Sequence, residues 1–213
     1  MAKLKTVDPD TKKGEKTRQR IFDVAVQEFS RKGYAGARID QIAAAAKINK
    51  QRIYAYFGDK EGLFVEVWQH TSDLISELDH ELLDLCDDDI PNLGQILLER
   101  YTDFHESHPD FWRIFILENL MGDRHHPRLH KSRPFAHVGE LYERGQKQGH
   151  FDPTVSFESF LFVVIAITFF YASNWRTMSD TLATELSRPD VKQKMMGEIG
   201  RLLFGSRPDA QGE

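Results

Sequence analysis

The chain has 213 residues, 40% of them apolar and 29% charged, which excludes a disordered polymer and allows one large or two small globular domains. Its one cysteine, Cys86, excludes an internal disulfide and a multi-cysteine zinc site; with Asp84, Asp87, Asp88 and Asp89 around it, the thiol reads as inert. The net charge of −5 divides unevenly: residues 1–60 carry 14 Lys and Arg against 7 Asp and Glu, while the remainder carries 14 against 26, so only the first part suits a polyanion.

Residues 1–14 are polar, with Pro9 and Gly14, and predict a loose arm. From Thr17 the apolar spacing is helical through Ile21, Phe22, Ala25, Val26 and Phe29, with an end expected at Arg31-Lys32-Gly33. A short helix follows in "IDQIAAAAK", and its alanines allow close packing on the next helix. Asn49 is a candidate N-cap for "KQRIYAYF", Gly58 ends that helix, and Asp59 caps a long one carrying Leu63, Phe64, Val67 and Leu78. The acidic stretch "DLCDDDIPN" at 84–92 predicts a break. Further helices are expected near 93–107, 110–120, 129–147, 155–175 and 189–204, and no alternating strand pattern intervenes.

Three short helices ending in a polar-then-aromatic one describe a helix-turn-helix unit, at about residues 38–57. Laid out at ~100° per residue, the third helix turns Ile53 and Phe57 inward. Its opposite side is centred on Gln51 and Ala55, flanked by Arg52 and Tyr54. Gln and Arg are the side chains that hydrogen-bond adenine and guanine edges, and a small residue such as Ala55 permits close approach to a groove floor. Lys50 suits base or phosphate, the hydroxyls of Tyr54 and Tyr56 suit phosphate, and Lys60 opens a helix whose N-terminus attracts anions.

The segment "TRQRIFDVAVQEFSRKGYAGARIDQIAAAAKINKQRIYAYFGDKEGLFVEVW", residues 17–68, closely resembles the N-terminal domain of the TetR family of bacterial transcriptional regulators. The matching residues are Ile21, Ala25, Phe29, Gly33-Tyr34, Ile42-Ala43, Ile53-Tyr54, Tyr56-Phe57, Lys60-Glu61 and Leu63. The resemblance implies an all-α chain: an arm at 1–14, a DNA-binding domain at 15–62, a helical ligand-binding and dimerisation domain at 63–205, and a loose tail at 206–213. It places Tyr54 and Lys60 on phosphates and Lys50, Gln51 and Arg52 on bases. Many members carry a hydroxyl pair before the second helix where this chain has Ala37-Arg38; Arg38 is expected to reach the phosphate backbone or enter the minor groove.

For the body, the resemblance implies an effector pocket, with Phe104, Trp112, Phe115, Glu118, Asn119 and Phe169 as candidates. It also implies a two-fold interface, with Phe162, Ile165, Phe169, Met195, Ile199 and Leu202 as candidates. The longest apolar run, 161–172, is about half of the ~20 residues that a membrane span needs, and is read as a buried helix of a soluble, cytoplasmic protein with no membrane partner. His125, His126, His130 and His137 cluster, but Pro127 interrupts them and no carboxylate completes a site, so no metal or other cofactor is expected. No nucleophile–histidine pairing, HExxH or glycine-rich phosphate loop suggests an enzyme. The expected function is a dimeric repressor that a small-molecule effector releases from a palindromic operator. The alternatives are a DNA-binding dimer without a ligand and a helical metal-dependent enzyme.

Overall fold

A computed structural model describes residues 12–121 and 135–205. The described residues form nine α-helices and no strand: α1 (Lys12–Gly36), α2 (Ile39–Ala45), α3 (Lys50–Phe57), α4 (Lys60–Glu81), α5 (Leu93–Ser107), α6 (Pro109–Met121), α7 (Ala136–Lys147), α8 (Phe157–Leu182) and α9 (Pro189–Phe204). The acidic stretch separates α4 from α5, as expected of a break, and within it the chain forms two short 3-10 helices, Leu82–Asp84 and Asp87–Asn92. The arm before residue 12, the tail after 205, and His125, His126 and His130 of the proposed cluster lie outside the described residues.

The chain divides into two compact units, a head of residues 12–75 with 110–121 and a body of residues 76–109 with 135–205. The head closes over Ile21, Ala25 and Phe29 of α1, Ile42 and Ala43 of α2, Ile53 and Phe57 of α3, and Leu63, Phe64 and Val67 of α4. Ile114 of α6 belongs to the same core, and Phe115 stacks on Trp68 with ring centroids 4.8 Å apart. The head's core therefore draws on α6 as well as on the first four helices.

Gly33 interrupts α1 where its end was expected. It takes a non-helical conformation (φ 65°, ψ 179°), after which the chain makes one more turn to Gly36. Only glycine enters this region without a steric penalty, and Leu117 of α6 packs 3.5 Å from where a Cβ would stand. The caps are as expected: the Asn49 side chain accepts from the Gln51 N–H at 3.0 Å, and Asp59 Oδ1 from the Gly62 N–H at 2.7 Å. These bonds fix where α3 and α4 begin.

In the body, α5 packs against both α8 and α9, and Lys192 of α9 reaches Glu106 of α5 at 2.7 Å. Tyr142 of α7 lies buried between Phe151 and Phe160, its ring stacked at 4.8 and 4.6 Å and its hydroxyl donating to the Val155 carbonyl at 3.1 Å. Gly145 lets the Phe151 ring approach to 2.5 Å of its missing Cβ.

Helix α8 corrects two expectations. It continues to Leu182, seven residues past the expected end at 175. In its polar continuation Thr177 and Thr181 return their hydroxyls to carbonyls of the same helix, at 3.0 and 2.9 Å, so these polar side chains are satisfied within it. Nor is it a buried helix: by length and composition it is long and apolar enough to cross a membrane, yet only 22% of its most apolar stretch is buried within the chain.

Candidate nucleic-acid interface

The head presents the expected two-sided third helix. Ile53 and Phe57 are buried, whereas Lys50, Gln51, Tyr54 and Ala55 are exposed and Arg52 is half-exposed. This is the outward face predicted from the helical spacing, and it carries hydrogen-bonding groups around the small residue that permits close approach. Arg38 is also exposed and precedes α2 in extended backbone (φ −127°, ψ 127°), with no side-chain cap on the helix. Lys50 is paired across the unit, its Nζ 3.2 Å from Asp40 Oδ1.

Two candidate phosphate ligands differ from expectation. The Tyr56 hydroxyl is buried without a hydrogen-bond partner among the described residues, and the ring packs against the head's core. Tyr56 is thus a packing residue, and Tyr54, 44% exposed, is the tyrosine that faces outward. Lys60 is folded back: its Nζ lies 4.6 Å over the Tyr34 ring and donates to the Ala35 carbonyl at 3.5 Å, and burial lowers its pKa. The start of α4 also carries carboxylates of its own, Asp59 on the Gly62 N–H and Glu61 in the first turn. An anion at that helix start competes with them.

The turn between α2 and α3 holds a feature that the residue types do not announce. Lys47 adopts the left-handed conformation (φ 53°), and the next N–H, of Ile48, reaches back to the Ala43 carbonyl at 3.0 Å. A lysine carries a steric cost there that glycine does not. On the surface, Arg18 pairs with Glu66 and its guanidinium lies 5.0 Å over the Phe57 ring, tying α1 to α3 and α4.

The candidate effector residues fall into two groups. Trp112, Phe115, Glu118 and Asn119 belong to the head with α6, and Phe104 and Phe169 to the body. Phe115 stacks on Trp68, Asn119 is exposed, and Glu118 is buried, with Oε2 lacking a hydrogen-bond partner among the described residues. Phe104 and Phe169 lie 5.6 and 5.7 Å from the buried ring of His105. Burial, and secondarily the neighbouring His108, lowers the His105 pKa to about 4.

Of the interface candidates, Phe162 and Leu202 are 71% and 83% exposed, and Ile165, Met195 and Ile199 are half-buried. Phe169 is half-buried with its ring against His105 of α5, and Phe170, one residue later, is half-exposed. Between α8 and α9 runs an apolar groove of about 520 Å³ lined by Phe170, Trp175, Met178, Leu182, Met195 and Ile199 among others. His137, the one described member of the histidine cluster, holds the Leu85 carbonyl at 2.8 Å through Nε2.

A core-anchored helix that turns Gln, Arg and Tyr outward, preceded by a short alanine-rich helix and a tight turn, defines a helix-turn-helix DNA-binding regulator. The comparisons with known proteins agree. Residues 21–67 match the model of bacterial regulatory proteins of the tetR family, and residues 95–202 match a tetracyclin repressor-like C-terminal domain. The chain is 33% identical over 196 residues to the HTH-type transcriptional repressor NicS of Pseudomonas putida, covering 89% of this chain and 92% of that one. It is 34% identical over 169 residues to the HTH-type transcriptional repressor SCO4008 of Streptomyces coelicolor, covering 76% and 78%. Among solved structures it is similar to the putative transcriptional regulator SCO4942 of Streptomyces coelicolor, with a TM-score of 0.63 and 26% identity over 88% of this chain and 98% of that one. The chain belongs to the TetR family of transcriptional regulators. The relatives are DNA-binding regulators of transcription, a class distinct from enzymes.

Proposed function

We propose that the chain is a cytoplasmic, homodimeric repressor that binds a palindromic operator and is released from it by a small-molecule effector. The observation that carries the DNA-binding half is the outward face of α3, with Gln51, Arg52, Tyr54 and Ala55 set over the buried Ile53 and Phe57. In this reading Lys50, Gln51 and Arg52 contact base edges and Tyr54 a phosphate, while Arg38 flanks them at the start of α2. Lys60 contributes by leaving the Tyr34 ring for a phosphate.

The dimer is supported by the open apolar surface of α8 and α9, where Phe162, Phe170, Leu182, Leu202 and Leu203 are exposed. A second copy covers that surface and supplies the two-fold symmetry that a palindromic site requires. This accounts for an apolar helix without placing it in a lipid bilayer. Effector release is the family's usual mode of control; the aromatic surroundings of His105, with Phe104 and Phe169, are the body's candidate contacts for an apolar effector.

Selection of operators from random DNA with the purified protein tests the reading. The expected result is an enriched palindrome, bound with an affinity that falls steeply as salt rises because phosphate contacts release counterions. Failure to enrich any motif overturns it. Mass spectrometry of small molecules that co-purify tests the effector: a bound compound that weakens operator binding on re-addition is expected, and one that leaves binding unchanged counts against effector release.

A further inference from the structure

An exposed carboxylate on a surface that approaches DNA needs a reason, because it repels phosphates. Asp40, on the first turn of α2, is such a group: its side chain is 78% exposed, and the Lys50 ammonium at the start of α3 stands 3.2 Å from its Oδ1. Lys50 is itself 54% exposed. The pair thus lies open to solvent and links the two helices of the helix-turn-helix. Asp40 has a bland role available, the favourable placement of an acid in a helix's first turn. Its polar partner among the described residues is nevertheless the Lys50 ammonium, on the other helix. An exposed pair of this kind adds little to stability, so clamping α2 to α3 is a small part of what it can do.

We propose that Asp40 and Lys50 act as one reading unit for a G·C base pair, with Asp40 as a specificity-determining residue. In the major groove guanine presents two acceptors, O6 and N7, and the cytosine paired to it presents one donor, the N4 amino group. A lysine ammonium donates to the guanine and an aspartate carboxylate accepts from the cytosine, so an ion pair a few ångströms across offers both halves of that pattern side by side. Lys50 alone reads guanine and grips phosphate indifferently. Asp40 removes the second option, because it neutralises the lysine and repels the backbone, leaving a contact that is favourable where two acceptors are followed by an amino donor, as in G·C, and not where the amino group lies between the acceptors, as in A·T. The pair trades affinity for discrimination.

The inference rests on the DNA-binding reading, and one experiment separates their fates. Operators are selected from random DNA with the wild-type protein, Asp40→Asn and Lys50→Gln, and each protein's affinity is measured on the wild-type motif, on single-position variants and on unrelated DNA. Wild-type protein is expected to require G·C at one symmetry-related position in each half-site. Asp40→Asn is expected to lose about 5- to 150-fold of that discrimination while binding unrelated DNA as tightly as wild type or more so. Lys50→Gln is expected to lose the same preference and to bind unrelated DNA more weakly. An Asp40→Asn motif identical to wild type overturns the inference and leaves the DNA-binding reading standing. So does a uniform loss of affinity accompanied by a lower melting temperature, the mark of a purely structural acid. Absence of any wild-type motif removes both.

Discussion

In the head, α1 to α4 and α6 close over Ile21, Phe29, Ile53 and Phe64, and the surface left outward on α3 is Lys, Gln, Arg and Tyr. In the body, α5, α8 and α9 pack together but leave Phe162, Phe170, Leu202 and Leu203 uncovered, while a histidine is buried. The head is short of a polyanion and the body of an apolar partner. The difference teaches that each surface has its own complement: hydrogen-bonding and cationic groups are satisfied by nucleic acid, and an apolar stripe only by another apolar stripe.

Breaking the body's side of that contrast has the largest expected effect. Phe162→Asp with Leu202→Asp places charge on the open stripe, converts the dimer to a monomer in sedimentation, and lowers operator affinity roughly 10²- to 10⁴-fold by removing the paired second contact. A variant that remains dimeric with full affinity locates the interface elsewhere. The next effect concerns what the body buries. The His105 pKa is lowered to about 4 from the ordinary 6.5, so the unfolded chain binds the proton more readily between those values. The stability of the neutral buried ring is fully present above pH 6.5 and is lost as pH falls toward 4, up to about 3 kcal/mol. Urea unfolding is expected to show about 2 kcal/mol of this loss between pH 7 and pH 5, and His105→Gln to show a flatter profile over the same range.

The head's side is sharpened by smaller changes. Gln51→Ala or Arg52→Ala is expected to cost about 1–3 kcal/mol at one base step and relax preference there, whereas Tyr54→Phe weakens all sequences alike. Competition titrations with single-base variants of the operator measure both; the opposite pattern exchanges the roles of these residues. Smallest is the turn: Lys47→Gly relieves the left-handed strain and stabilises the protein by about 0.5–1 kcal/mol in thermal unfolding, with an unchanged melting point disproving strain at that position.

The same contrast explains what the sequence made legible. Asn49, Gly58 and Asp59 act on residues within four positions of themselves, so the start and end of α3 and the start of α4 follow from local chemistry. Ile53 and Phe57 follow from helical period. Tyr56 does not, because its burial depends on partners from elsewhere in the head's core, and neither does the packing of Phe115 on Trp68 across more than forty residues. The continuation of α8 past residue 175 was hidden because Thr and Ser read as loop formers unless their hydroxyls return to the helix. His105 gave no signal at all, since burial is what distinguishes it.

The insertion of α6 into the head's core has a consequence for engineering. Regulators of this architecture invite chimaeras in which one reading module is grafted onto another sensor, and the family match ending at residue 67 suggests an obvious junction. Cutting there would remove Trp68 together with the Phe115 ring stacked on it, Leu117 from beside Gly33, and Ile114 from the core. The smallest transplantable module is discontinuous: a graft must carry α6 along with the first four helices, or rebuild its apolar face on the recipient.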